Sequence, residues 1–152
     1  KYTPQDLHFR RKFSQRMNYS QSFQTGRLDL ASRLFIKNGN IYSIKDNEGQ
    51  VKYSQKGAGL CVEGKGCVSF LGGTHLPNAE YVIDLSGMSA NEVRYLKIGT
   101  MDEDVADIRF TLDGDQIVIL SGVTEVLRIN SAIDKVRILL KGNIAYFVDA
   151  VE

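Results

Sequence analysis

The feature that most limits how this chain can fold is a series of short apolar segments in its second half. Glycine-containing pairs separate them, at Ser86-Gly87, Asp113-Gly114, Ser121-Gly122 and Gly142-Asn143. The segments themselves cover residues 81–85, 93–98, 108–112, 116–120, 125–129, 135–140 and 144–148. Short strands at this spacing, with no long helical pattern between them, are typical of antiparallel β architectures. We therefore predict a mainly β protein, an antiparallel β-sandwich of the jelly-roll type.

The first residues carry a different pattern, which predicts one amphipathic helix over residues 4–18. Pro4 follows a possible cap at Thr3, an arrangement typical of a helix start. Phe9, Phe13 and Met17 recur every four residues, so a helix places them on one face. The chain of 152 residues fits a single domain, with a helical basic arm over 1–26 and the sandwich over 27–152.

Residues 34–54 predict a β-meander, and the glycine-rich stretch after them predicts flexible turns. Asn38-Gly39 suits a tight hairpin between 34–37 and 40–44, and a second turn at 46–49 leads to a strand at 50–54. Glycine then recurs throughout residues 56–73, but without the spacing of a phosphate-binding loop.

Charge is distributed unevenly along the chain. Residues 1–37 carry eight basic and two acidic residues, a charge of +6; the remainder has 11 basic and 16 acidic residues, a charge of −5. We predict that Arg10 and Arg11 lie beside the apolar stripe of Phe9, Phe13 and Met17, and that this stripe docks on its own domain or on a second copy. Charge then orients the contact, since salt screens exposed ion pairs.

Two further groups are candidate sites. Cys61 and Cys67 predict a local disulfide if the protein matures in an oxidising compartment, and small buried thiols if it does not. Asp102, Asp104 and Asp107 are weak candidates for calcium, which prefers carboxylate oxygens, and a solvated turn is the alternative. No base–nucleophile pair or metal-ligand spacing is recognisable in the sequence, so we expect no catalytic activity.

Several strand phrases of the second half are similar to those of a known family. Tyr81–Leu85 and Val93–Gly99 resemble the paired strands of galactose-binding-like (discoidin-type) domains, and Lys135–Ile138 and Phe147–Glu152 resemble their closing strands. The resemblance covers residues 80–152. It implies a jelly roll whose loops bind a glycan or another surface component.

Three functions follow as expectations. The first is a non-catalytic module that binds a glycan or a protein surface, in an extracellular or surface-associated setting. The second is a structural subunit, of a viral, phage or pilus-like kind, that forms homo-oligomers through the N-terminal helix. The third, binding of nucleic acid by the basic arm, ranks last because the net charge is only +1. No apolar run approaches the roughly 20 residues of a membrane-spanning helix.

Overall fold

A computed structural model describes residues 8–10, 24–37, 41–46, 51–56, 59–72, 79–100, 104–141 and 144–149. Within these residues the chain forms one sheet of twelve strands, and all of its strand pairs are antiparallel. The strands are β1 (His8–Arg10), β2 (Gln24–Lys37), β3 (Ile41–Asp46), β4 (Val51–Lys56), β5 (Gly59–Gly72), β6 (Glu80–Asp84), β7 (Val93–Thr100), β8 (Asp104–Asp113), β9 (Gln116–Ser121), β10 (Thr124–Asn130), β11 (Lys135–Lys141) and β12 (Ile144–Asp149).

The centre of the sheet is a pair of long strands, β2 and β5, with 14 residues each. They pair along their whole length, from Gln24 opposite Gly72 to Lys37 opposite Gly59. The other edge of β2 carries two short strands end to end, β7 over residues 26–31 and β6 over residues 34–37. The other edge of β5 likewise carries β3 over residues 68–72 and β4 over residues 59–64.

Covalent connectivity requires the long pair to bend. Lys37 ends β2 opposite Gly59, whereas Ile41 begins β3 opposite Gly72, the other end of β5. Four residue steps from Lys37 to Ile41 span at most about 15 Å, but a straight β5 would be about 43 Å long. Gly64 lies opposite Ser32, between the parts of β2 that pair with β7 and with β6, and its φ of 137° is rarely open to residues with a side chain.

Two arms extend from the bent pair and share one core. One arm continues from β2 through β7, β8, β9 and β10; the other continues through β6, β11, β12 and β1. The buried apolar side chains of both halves of β2 and β5 are all even-numbered, so the two halves turn the same face inwards; they are Leu28, Leu30, Leu34, Ile36, Leu60, Val62, Val68 and Phe70. These side chains and those of the two arms form a single cluster. It includes Leu28, Leu34, Val62, Val68, Tyr81, Ile83, Leu96, Ile108, Phe110, Ile117, Ile119 and Ile138.

The second half of the chain confirms the predicted strands closely. β6 to β12 each overlap the segment predicted for them. Tight connections join β8 to β9 and β9 to β10, where Gly114 and Gly122 have φ values of 63° and 64°. Lys141 pairs with Ile144, as expected for a two-residue hairpin connection.

The predicted meander in the first half is wrong. β2 and β3 do not pair with each other; both pair with β5, on opposite edges. β3 and β4 do not pair with each other either; each pairs antiparallel with a different part of β5, residues 68–72 and residues 59–64. The glycine-rich stretch is also not a set of turns, because most of it is β5. A 14-residue ladder with one buried face outweighs the local preference of Asn-Gly and of isolated glycines.

Only one short part of the predicted N-terminal helix lies within the described residues. His8–Arg10 form β1, which pairs with residues 144–146 of β12, so these three residues are extended rather than helical. Pairing with a neighbouring strand overrides their helical periodicity. The rest of the predicted helix, 4–7 and 11–18, lies outside the described residues. Over the part of the chain that the structure describes, we find no helix with the length and hydrophobicity to cross a membrane.

Candidate functional site

A groove of about 860 Å³ lies where β2 changes partners. On this edge β7 pairs with β2 as far as Ala31, and β6 pairs with it from Leu34 onwards. The chain leaves the sheet between these strands, over residues 85–92, and returns at Val93. The groove lies over this interruption, on the face opposite the core. Its lining is Ala31, Ser32, Arg33, Glu63, Gly64, Lys65, Asp84, Ser86, Asn91, Glu92, Val93, Arg94, Tyr95, Lys97 and Arg109.

One wall of the groove is held in place by Arg94. Its Nε donates to Glu92 Oε2 at 2.8 Å and its NH1 donates to the Asp84 carbonyl at 2.9 Å, so it joins the two ends of the 85–92 excursion. The Ser89 backbone N–H donates to Glu92 Oε1 at 3.1 Å. The Arg94 side chain is only 15% exposed, which makes these hydrogen bonds stronger than equivalent bonds in open water.

The two carboxylates of this wall are stabilised in their charged form. Burial alone would raise the pKa of Asp84, but hydrogen bonds from Ser86 and the charges of Arg94 and Arg33 outweigh it and lower that pKa. Hydrogen bonds from Arg94 and from the Ser89 backbone lower the pKa of Glu92. Both groups therefore stay ionised at neutral pH and accept hydrogen bonds at the edge of the groove.

The floor is a row of four residues that lie side by side on adjacent strands. Lys65 pairs with Ala31, Ala31 with Tyr95, and Tyr95 with Arg109. Ala31 has only a methyl group, so it leaves a slot between Lys65 and Tyr95, whose Cα atoms are roughly 10 Å apart at the usual strand spacing. Burial and the nearby Asp29 carboxylate raise the pKa of Tyr95, which keeps its phenol protonated.

The cations around this slot are engaged to different extents. The Lys97 ammonium lies 5.5 Å from the centre of the Tyr95 ring, a cation–π distance. Arg109 donates twice to the Asp107 carboxylate, at 3.1 Å each. Lys65 forms no hydrogen bond or ion pair with any residue that the structure describes. The groove thus combines carboxylate and amide acceptors, cationic donors and one aromatic ring.

The calcium candidates are not brought into this groove. Asp102 lies outside the described residues, and Asp104 opens β8 opposite Gly99. The Asp107 carboxylate is bound by Arg109. Among the described residues, no group of three side chains of the types that ligate metals lies close enough together to hold an ion.

The cysteine pair lies on one strand. Cys61 pairs with Phe35 and Cys67 with Asp29, and the two are not joined by a disulfide in this structure. A bond between them would join two positions of the same strand, each paired with a different residue of β2. The predicted disulfide therefore stays a prediction.

The predicted interaction residues are only partly described. Phe9 and Arg10 belong to β1, with Phe9 opposite Ala145 and Arg10 opposite Ile144. Arg11, Phe13 and Met17 lie outside the described residues. None of the residues that line the groove was a sequence-based candidate. The available signal was the alternation in β2, where Arg27, Asp29 and Arg33 interleave with buried leucines and Ala31 is the one small residue among them.

Comparisons with known proteins give no precedent for this site. No protein-family model matches the chain, and no curated protein and no solved structure matches it either. The resemblance of residues 80–152 to discoidin-type domains therefore stays a prediction.

Proposed function

We propose that the protein is a non-catalytic carbohydrate-binding module and that the groove over the β2 bend holds the sugar. The observation that carries the proposal is the slot over Ala31, bounded by Tyr95 on one side and Lys65 on the other. An aromatic ring beside a slot offers an apolar face to the C–H groups of a pyranose, while its hydroxyl bonds to polar groups.

The mixture of polar groups supports a ligand rich in hydroxyls. Each sugar hydroxyl both donates and accepts, so it suits a lining that has Glu63, Asp84 and Asn91 as well as Lys and Arg. Specific sites generally place a few polar groups around a largely preformed cavity. Hydrogen bonds of the Arg94 wall preform this one.

The same mixture disfavours a nucleic acid in the groove. Phosphate binding relies on cations that replace counterions along the backbone. Glu63, Asp84 and Glu92 would instead place three carboxylates against the phosphates. A sugar unit with few charges avoids this repulsion.

The finer architecture belongs to this proposal. We interpret the two arms as the layers of a jelly-roll-like sandwich, because the side chains that they bury join one core and both arms share the bent pair. The groove then lies on the outside of the sandwich, at the junction of its layers, rather than among the loops at one end.

A steric block tests the proposal. Ala31→Phe fills the slot without touching the core, and Val82→Phe places the same side chain on the outer face of β6, at a residue that does not line the groove. Both variants and the unaltered protein are applied to an array of neutral and acidic glycans. We expect the same glycans to bind to the unaltered protein and to Val82→Phe, and binding to Ala31→Phe to fall at least about tenfold, the ratio that corresponds to about 1.4 kcal/mol.

Two results would contradict the proposal. Equal binding by Ala31→Phe and Val82→Phe would place the sugar elsewhere. A change in oligomeric mass of Ala31→Phe, without glycan binding by any variant, would instead favour the assembly function.

A further inference from the structure

We infer that the sugar bound in this groove carries an anionic group, a carboxylate or a sulfate, which Lys65 and Lys97 bind beside the Tyr95 ring. This inference rests on the proposed function and specifies its ligand class. The shared chemistry is one localised negative charge on a pyranose.

The first step is the charge that remains once internal pairs are formed. Five cations and three carboxylates line the groove. Arg94 is paired with Glu92 at 2.8 Å, and Arg33 lies 3.9 Å from Asp84. Arg109 is held by Asp107. The charges that these pairs do not match are those of Lys65 and Lys97, which are positive, and that of Glu63, which is negative. The lining therefore has an excess of positive charge.

The second step is where that excess lies. Lys65 is directly across Ala31 from Tyr95, and Lys97 follows Tyr95 by two residues on the same face of β7. The cross-strand neighbours of Lys97 are Asp29 and Asp107. Each of these carboxylates has an ion pair of its own, Asp29 with Arg27 at 3.3 Å and Asp107 with Arg109 at 3.1 Å. Glu63 lies one row away, opposite Arg33. The two lysines thus border the slot, while the carboxylates lie towards the 85–92 wall.

The third step is the orientation that this gives to the ligand. A sugar in the slot presents hydroxyls to the carboxylates and Asn91 at the wall, and its anionic group to the two ammonium groups. Charge-assisted hydrogen bonds are roughly twice as strong as neutral ones, so this group adds both affinity and direction. A neutral sugar keeps the ring contact and loses this bond.

Matched ligands and matched lysine variants test the inference. The probes are methyl glycosides of glucose, galactose and mannose, each as the neutral sugar, the C6 uronate and the 6-sulfate. Binding is followed by NMR titration of the Ala31 methyl signal. Lys65→Gln and Lys97→Gln are compared with Lys37→Gln, which removes an exposed lysine from the same face of β2 at its far end.

We expect at least one uronate or sulfate to bind about tenfold more tightly than its neutral counterpart, as one charge-assisted hydrogen bond allows. Lys65→Gln and Lys97→Gln then reduce that preference to near unity, whereas Lys37→Gln keeps it. A preference for the uronate identifies a carboxylate, and a preference for the sulfate identifies a sulfated sugar.

Failure of the inference differs from failure of the proposed function. If neutral and acidic sugars bind equally and Ala31→Phe still blocks both, the module binds neutral sugar and the inference is wrong. If no probe shifts the Ala31 signal, both are overturned. Tighter binding of a poly-glutamate peptide than of any sugar, lost in Lys65→Gln, would also overturn the sugar assignment.

Discussion

The long pair of β2 with β5 and the meander from β7 to β10 belong to one sheet, but different interactions specify them. In the meander each strand pairs with the next strand of the chain, and turns that contain Gly114 and Gly122 join β8 to β9 and β9 to β10. In the long pair, Gln24 meets Gly72, and the intervening chain contributes β3 and β4 to the outer edge of β5. The meander is therefore set by local backbone conformation, and the long pair by which side chains fit against each other.

The largest expected effect comes from adding one methyl group to the long pair. A Cβ at Gly59 would lie 2.5 Å from the Phe35 ring and 2.7 Å from the Ile36 carbonyl oxygen. Because the second contact is backbone, the ladder itself must shift. We expect Gly59→Ala to lower the free energy of unfolding by about 2–3 kcal/mol, at the upper end for overpacking, measured by urea denaturation.

Gly114→Ala is the matched control in the meander. A Cβ at Gly114 meets nothing within 4 Å, but φ is 63°. The expected cost is about 1 kcal/mol, from the left-handed backbone alone. If Gly114→Ala proves more costly than Gly59→Ala, the distinction between a space-limited pair and a conformation-limited meander is wrong.

An intermediate effect is expected where the meander meets the bend. Arg94→Met keeps most of the side-chain volume but removes the donors to the Asp84 carbonyl and to Glu92. We expect a loss of about 1–2 kcal/mol at pH 7, since partly buried acceptors lose their partner. Differential scanning calorimetry of both proteins between pH 7 and pH 3 measures it.

The pH dependence identifies the ion pair as the cause. Arg94 lowers the pKa of Glu92 below its ordinary value of 4.5, so the stability from this pair is present above pH 4.5. It is lost as the pH falls further and Glu92 is protonated. The gap between the two proteins should narrow below pH 4.5; a constant gap would mean that Arg94 acts through packing alone.

The smallest effect is expected at the other end of the meander. Arg128 donates to Glu125 at 2.8 Å and 3.0 Å and to Asp113 at 2.8 Å, an arrangement like that of Arg94. Its side chain is 39% exposed, however, and exposed pairs contribute little. Arg128→Met should change the free energy of unfolding far less than Arg94→Met does, and less still in high salt. A loss equal to that of Arg94→Met would show that burial does not decide between the two.

The same contrast explains how much of the fold could be predicted from the sequence. The strands from β6 to β12 were predictable because Asp113-Gly114 and Ser121-Gly122 mark their ends directly. The pairing of β2 with β5 was not, because nothing local distinguishes a partner two residues away from one many residues away. Gly64 and Gly66 indicated a turn, whereas β5 uses their missing side chains on its inner face, opposite Ser32 and Leu30.

The groove was unpredictable for a related reason. Lys65, Ala31, Tyr95 and Arg109 come from four strands and become neighbours only when the register is known. Each looks like an ordinary outward-facing residue in its own segment. A rule based on spacing along the chain finds sites within one loop or helix, and this site has no such spacing.

The end-to-end placement of short strands on β2 and β5 also sets an order of events during synthesis. β3 and β4, which precede β5 in the chain, complete the outer edge of β5. β6 and β7, which follow β5 in the chain, complete the outer edge of β2. As the nascent chain emerges, β2 cannot pair with β5 until β5 has been synthesised. The outer edge of β2 stays incompletely paired until Thr100 has left the ribosome. Such a high contact order predicts slow folding, with apolar strand edges exposed meanwhile. The hairpins of β8, β9 and β10 close quickly, but they join the rest of the sheet only when their partner β7 is already in place.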